Sequence, residues 1–172
     1  MNTPARIVTG PLNVQHRDRV AEILRSTENF REEEVDVALE LFDESFVGDD
    51  YVFVGGFVGA HRLVGFACFG LTPATDRTYD LYWIAVDRSA QGSGCGTVLL
   101  SDVERRLEAL HARMLVVETS SRSDYTATRG FYLKRGYIEA ARVREFYAPE
   151  DDRIILTKRL AGSPRQGWGA VA

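Results

Sequence analysis

The chain has 172 residues, 45% of them hydrophobic and 27% charged, and it carries a net charge of −4. This length fits one domain and leaves no room for a second, and the composition is ordinary for a soluble globular protein. The mild negative charge argues against a general nucleic-acid or anionic-membrane surface and agrees with a cationic amine as the substrate.

The sequence of the first half of the chain predicts a short strand, two helices and a β-hairpin. Apolar residues at helical spacing mark both helices, and the three carboxylates of Glu32, Glu33 and Glu34 suit the positive end of the second helix dipole. The predicted elements are a strand over residues 6–9, a helix starting at Asn13 or Asp18, a helix over 32–46, and hairpin strands over 51–58 and 62–70 around a turn at 59–61.

The second half predicts a strand, a helix, a continuous apolar strand, a short helix and two final strands. Gly136 gives the short helix its C-terminal stop. We expect a solvated turn at residues 150–152 and a disordered tail, so the domain spans 1–160 and the tail 161–172. The predicted elements cover residues 78–86, 98–110, 114–117 with Glu118 at the end, 126–135, 137–147 and 154–160.

A glycine-rich segment, QGSGCG at residues 91–96, joins a predicted strand to a predicted helix. Alternate glycines let the backbone turn tightly and leave no side chains over its amide groups. Since the first N–H groups of a helix are unpaired and its dipole favours an anion, this order predicts a phosphate cradle. The segment lacks the Gly-Lys-Ser/Thr ending of a Walker loop, and its glycines are too closely spaced for a dinucleotide fingerprint.

The same segment resembles the Q/R-x-x-G-x-G/A motif of the GNAT superfamily of N-acetyltransferases. Downstream, FYLKRGY at residues 131–137 resembles that family's F-Y-x-K-x-G-F/Y signature. The resemblance covers residues 5–160 and is closest to bacterial members of unassigned substrate, through DLYWIAV at 80–86 and DYTATR at 124–129. It implies the α/β GNAT fold, a mixed sheet in the order β-α-α-β-β-β-α-β-α-β-β with helices on both faces and a splayed centre.

The resemblance also implies acetyl-CoA as the co-substrate. In the family, amides of the glycine loop hold the pyrophosphate, and the strand before it presents backbone groups to the pantetheine arm. Where family members often carry Asn, seven residues before the signature tyrosine, this chain has Tyr125; Arg129 could reach a CoA phosphate or pair with a carboxylate. The cofactor-binding residues implied are Ile84, Ala85, Val86, Gln91, Gly92, Ser93, Gly94, Cys95, Gly96, Thr97, Tyr125, Arg129 and Tyr132.

Tyr132 is the main catalytic candidate. It matches the family tyrosine whose hydroxyl points at the cofactor sulfur and can protonate the leaving thiolate. An unperturbed tyrosine has a pKa of about 10, close to that of a thiol, so this proton transfer is chemically reasonable. The alternative is a core tyrosine that packs beside Phe131 and Leu133.

The general base has three candidates, which are two carboxylates and a bound water. Asp80 matches the strand position of the glutamate base in the histone acetyltransferases of this family, but its side chain is one methylene shorter. Glu118 ends the neighbouring predicted strand, where it could face the amine. Either carboxylate could instead form a salt bridge or a solvated strand end.

We therefore expect transfer of an acetyl group from acetyl-CoA to a primary amine of a small molecule or peptide. The alternatives are an acyl-CoA-binding module without chemistry and a protein lysine acetyltransferase. Two cysteines make no disulfide framework, three isolated histidines predict no metal site, and no segment resembles a signal peptide or membrane span. The expected protein is cytoplasmic, has no nucleic-acid or membrane partner, and could be a homodimer.

Overall fold

The structure, a computed structural model, describes residues 6–59 and 61–161, and this part of the chain forms seven strands and four α-helices. Residue 60 of the predicted hairpin turn and residues 162–172 of the predicted tail lie outside the described residues. The elements in chain order are β1 (Ile7–Pro11), α1 (Arg17–Ser26), α2 (Glu32–Glu44), β2 (Val52–Val58), β3 (Arg62–Leu71), β4 (Thr78–Val86), α3 (Cys95–Ala109), β5 (Met114–Ser120), α4 (Thr126–Leu133), β6 (Ile138–Ala148) and β7 (Asp151–Arg159).

The order and type of these elements confirm the predicted fold, while several boundaries differ. The helix after the glycine loop begins at Cys95 rather than Val98, and β5 continues past Glu118 to Ser120. The predicted solvated turn at residues 150–152 is wrong for its last two residues, because β7 already begins at Asp151. Asp151 pairs with Ala148 across the hairpin and is only 8% exposed.

The sheet has the strand order β1-β2-β3-β4-β5-β7-β6, and β4 with β5 is its one parallel pair among the described strands. That pair extends only from Thr78 opposite Met114 to Leu81 opposite Val117. Beyond this point the two strands separate, although β4 stays paired with β3 and β5 with β7. The sheet is therefore splayed at its centre, as the family resemblance implied.

Each face of the sheet is covered by its own apolar layer. On one face, α1 and α2 bury residues at helical spacing, including Ile23, Leu24 and Phe42, against Phe66 of β3. On the other face, α3 buries a second set around Leu99 and Val103. No helix within residues 6–59 and 61–161 is long and apolar enough to cross a membrane.

A β-bulge in β4 changes which face its side chains point to. The register with β3 shifts between Cys68 and Phe69, so that Leu81 and Trp83 are both paired while Tyr82 is the extra residue. Leu81 packs in the α3 layer, Trp83 against the α1–α2 layer, and Ile84 again against the α3 layer. The bulge thus lies where β4 leaves β5, next to the opening in the sheet.

Candidate active site

A cleft of about 430 Å³ occupies the region where β4 and β5 separate. Its walls come from the ends of these two strands, the α1–α2 connection, the start of α4 and the β6–β7 hairpin. The lining residues are Asn29, Phe30, Arg31, Glu34, Leu81, Tyr82, Trp83, Ile84, Val117, Glu118, Thr119, Ser120, Arg122, Tyr125, Thr128, Tyr132, Tyr147, Ala148 and Asp151.

The glycine loop follows the end of β4 and leads into α3. Gly92 and Gly94 have φ values of +77° and +87°, a left-handed conformation that favours glycine, and Gly94 caps the helix. Gly96 has no such φ, so its backbone conformation does not require glycine. The first helical bond runs from the Val98 N–H to the Gly94 carbonyl, which leaves the preceding amides of the helix free to bind an anion.

The cysteine of this loop is buried, and its polar side chains form hydrogen bonds with groups of the protein. Cys95 is 1% exposed beneath the helix, and burial raises the pKa of its thiol to about 11, so only its backbone N–H is suited to a ligand. The Ser93 hydroxyl donates to the Ala90 carbonyl at 2.5 Å, and the Gln91 amide donates to the Val86 carbonyl at 3.4 Å. The Thr97 hydroxyl accepts a hydrogen bond from Arg135.

Backbone groups of β4 face the opening in the sheet. Ile84 lines the cleft, and Ala85 and Val86 pair with β3 through Phe66 and Gly65. No residue of β4 beyond Leu81 pairs with a described residue of β5. This segment therefore has backbone hydrogen-bonding capacity on its β5 side that an extended ligand could use.

Tyr132 lies on α4 and reaches the cleft although it is only 2% exposed. Its ring packs edge-on against Phe131 and Tyr137, with centroids 5.2 and 5.3 Å away. Burial raises the pKa of Tyr132, so the phenol stays protonated at neutral pH. Both predicted roles of this residue, core packing and a phenol at the cleft, are thus compatible with its position.

The two candidate bases lie in different surroundings. Glu118 lines the cleft and forms an ion pair with Arg153 of β7. Asp80 accepts a hydrogen bond from the Thr72 hydroxyl at 2.6 Å and is not among the residues lining the cleft. The structure therefore brings Tyr132 and Glu118 to one cleft and leaves Asp80 outside it.

Tyr125 and Arg129 contact protein groups at the start of α4. Tyr125 lines the cleft, and its hydroxyl donates to the Asn29 carbonyl at 3.2 Å, which ties α4 to the α1–α2 connection. Arg129 donates to the carbonyls of Ser120 and Arg122 at 2.7 and 2.8 Å. It pairs with no carboxylate of the described chain, and its contacts instead hold the β5–α4 connection.

Three residues at the site were missed by the sequence analysis. Arg135 follows α4 and lies over the Phe131 ring at 3.8 Å, so its guanidinium sits beside the first turn of α3. The Thr119 hydroxyl lines the cleft, is buried, and has no hydrogen-bond partner among the described residues. Asp151 also lines the cleft, where a turn of exposed carboxylates was expected. Only the tertiary contacts of β5, β7 and α4 identify these three.

Comparisons with known proteins agree with this geometry. The family model described as Acetyltransferase (GNAT) family matches residues 17–137. A solved structure of a GNAT-family protein from Desulfovibrio desulfuricans has 38% identity and a TM-score of 0.87, covering 91% of this chain and 100% of its own. A search of the curated proteins gave no significant match.

Two more distant solved structures share the fold. The ribosomal-protein-S18-alanine N-acetyltransferase from Escherichia coli has 20% identity and a TM-score of 0.75, covering 95% of this chain and 100% of its own. An aminoglycoside 6′-N-acetyltransferase complexed with coenzyme A has 17% identity and a TM-score of 0.70, covering 88% and 96%. At these identities the likeness concerns the fold alone.

Proposed function

This chain belongs to the GNAT family of acetyltransferases, and on that premise we propose that it transfers an acetyl group from acetyl-CoA directly to a primary amine of a small molecule or peptide. The observation that carries the proposal is the position of Tyr132. A protonated, buried phenol lines the cleft that opens between β4 and β5, and the anion-binding end of α3 follows directly after β4.

The residues around the gap fit the parts of acetyl-CoA. The free amides at the start of α3 suit a pyrophosphate, and the Arg135 guanidinium beside Thr97 adds a positive charge there. The unpaired β5 side of β4 at residues 84–86 suits an amide-containing pantetheine arm. The coenzyme A complex of the aminoglycoside acetyltransferase, which has the same fold, is consistent with this arrangement.

Within the cleft, two side chains take part in proton transfer, one as an acid and one as a base. The Tyr132 phenol donates a proton to the departing thiolate. Glu118 is favoured over Asp80 as the group that removes the ammonium proton, because Glu118 lines the cleft and Asp80 is bonded to Thr72 outside it. Glu118 can act directly or through water once the amine competes with Arg153 for its carboxylate.

The first test is binding of acetyl-CoA by calorimetry to the wild type, Gly94→Glu and Gly59→Glu. Both glycines have a positive φ and open space around an added Cβ, so each variant places the same added charge at a position where glycine is favoured and the side chain has room. We expect micromolar binding by the wild type and by Gly59→Glu, and its loss in Gly94→Glu, where the carboxylate would repel the pyrophosphate.

Turnover then separates the enzyme from a binding module. Release of free CoA thiol is followed with a panel of primary amines at saturating acetyl-CoA. Transfer to at least one amine supports the proposal. Binding without transfer to any amine or lysine-containing peptide contradicts it and favours an acyl-CoA sensor, and absence of binding by the wild type contradicts both.

A further inference from the structure

Two carboxylates and two tyrosine rings gather in one part of the cleft. This acidic–aromatic cluster consists of Glu34 at the start of α2, Tyr125 before α4, Tyr147 near the end of β6, and Asp151 at the start of β7. Burial raises the pKa of Tyr147, and the charges of Asp151 and Glu34 raise it further. Burial also raises the pKa of Tyr125, and the charges of Glu34, Asp124 and Asp151 add to that rise. All four side chains line the same cleft.

Asp151 is the member of this cluster whose charge has no cationic partner. It is 8% exposed, and the Ser120 hydroxyl donates a hydrogen bond to its Oδ1 atom. It forms no ion pair with a Lys, Arg or His of the described chain, whereas the Glu34 carboxylate has Arg31 at 3.4 Å and Glu118 has Arg153. A carboxylate removed from water is costly unless a cation or several donors compensate it.

The other arginines of the cleft each pair with a carboxylate other than Asp151. Arg122 pairs with Asp124 at 2.6 Å, and Arg31 pairs with Glu34. A second polar group in the cleft also lacks a partner: the Thr119 hydroxyl, in a residue that is only 6% exposed. The cleft thus combines a negative charge without a cation, electron-rich rings and an unused hydroxyl, which together suit an ammonium-bearing ligand.

The chemistry of acetyl transfer shows whether this ammonium can be the nitrogen that becomes acetylated. The nitrogen that attacks the thioester must give up its proton, so it cannot remain a cation during the reaction. A fixed anionic and aromatic cluster is instead complementary to a nitrogen that stays protonated throughout. We infer that the acceptor is an aliphatic amine carrying a second ammonium group, and that the acidic–aromatic cluster binds this second group through Asp151. The inference rests on the proposed function, in which the first amine of this acceptor receives the acetyl group.

A matched pair of ligands tests this assignment without requiring turnover. Binding of 1,5-diaminopentane and of pentan-1-amine, which share a carbon chain, is measured by calorimetry in the presence of CoA. The variant Asp151→Asn keeps an oxygen that can accept the Ser120 hydrogen bond, and Asp76→Asn removes an exposed carboxylate from the β3–β4 connection as a control.

We expect the wild type and Asp76→Asn to bind the diamine about tenfold more tightly than the monoamine, as for one charge-assisted contact. Asp151→Asn should lose that preference and keep the monoamine affinity. Equal binding of the two amines by the wild type, or an unchanged preference in Asp151→Asn, overturns the inference. Diamine preference without acetyl transfer would contradict the proposed function and leave the cluster's assignment intact.

Discussion

Two neighbouring buried tyrosines differ in what their hydroxyl groups contact. Tyr132 and Tyr137 are each 2% exposed, and their rings pack edge-on. The Tyr137 hydroxyl donates to the Glu104 carboxylate at 2.9 Å, and Glu104 also pairs with Lys158. The Tyr132 hydroxyl donates to no described residue. A buried phenol without a protein acceptor suits a group that acts on a ligand.

This contrast gives a prediction for two matched variants. Tyr132→Phe should lower kcat about 100-fold, the scale of one acid–base contribution, while its melting temperature and acetyl-CoA affinity stay close to those of the wild type. Tyr137→Phe should retain kcat and lose about 2 kcal/mol of unfolding free energy, because it loses a hydrogen bond to a carboxylate. Steady-state kinetics and urea unfolding measure both; an unchanged kcat in Tyr132→Phe removes its phenol from the mechanism.

At the scale of elements, the buried carboxylate of Asp87 joins α1 to the segment that precedes the glycine loop. Asp87 follows β4 and accepts hydrogen bonds from the Ser89 hydroxyl at 2.5 Å, the Ser89 N–H at 2.8 Å and Arg19 of α1 at 2.6 Å. These bonds from Ser89, together with Arg19, hold the pKa of Asp87 below its usual range. The short turn that leads to Gln91 is thus fixed to the sheet and to a helix.

The lowered pKa predicts a pH-dependent contribution to stability. Because the folded state favours the ionised carboxyl, its contribution is fully present above the unfolded pKa of about 3.9 and is lost as pH falls through the lower folded value. Asp87→Asn should therefore cost about 2 kcal/mol at pH 7, from the lost charge-assisted hydrogen bonds, and the gap to the wild type should narrow as pH falls below about 4. Urea unfolding from pH 7 to pH 3 measures this; a gap that stays constant with pH would contradict it. Asp43→Asn, from an exposed pair with Arg17, should change little.

Sequence patterns predicted the elements well because the apolar residues of each helix and strand repeat with a local period, and because Gly92 and Gly94 occupy backbone positions of positive φ that favour glycine. The sequence patterns did not predict which groups the ends of long side chains contact. Arg129 was expected to reach a CoA phosphate or a carboxylate; within the described chain it binds two carbonyls and no carboxylate, and its contact with a phosphate stays a prediction. Arg135 was assigned to a helix end and reaches Thr97 of α3. Asp151 was misassigned because nothing in a run of three acidic residues shows that β5 covers one of them.

At the scale of the whole molecule, the two apolar layers hold a sheet whose centre is not closed by hydrogen bonds. β1, β2 and β3 are joined in one antiparallel ladder, and β5, β7 and β6 in another. β4 is paired with β3, and among the described strands four residue pairs of β4 and β5, from Thr78–Met114 to Leu81–Val117, connect the two halves. Backbone amides on the open side of β4 and at the start of α3 therefore lack the protection that ladder amides have.

A ligand that fills this gap should protect those amides selectively. We predict that acetyl-CoA slows hydrogen exchange in peptides covering residues 82–97, because it supplies acceptors to the β4 edge and to the glycine loop, and leaves β1 to β3 unchanged. Exchange is followed by mass spectrometry with and without acetyl-CoA, using Gly94→Glu as the non-binding control. Protection spread evenly over both ladders would indicate global stabilisation instead, and protection confined to α1 and α2 would place the cofactor outside the splayed gap.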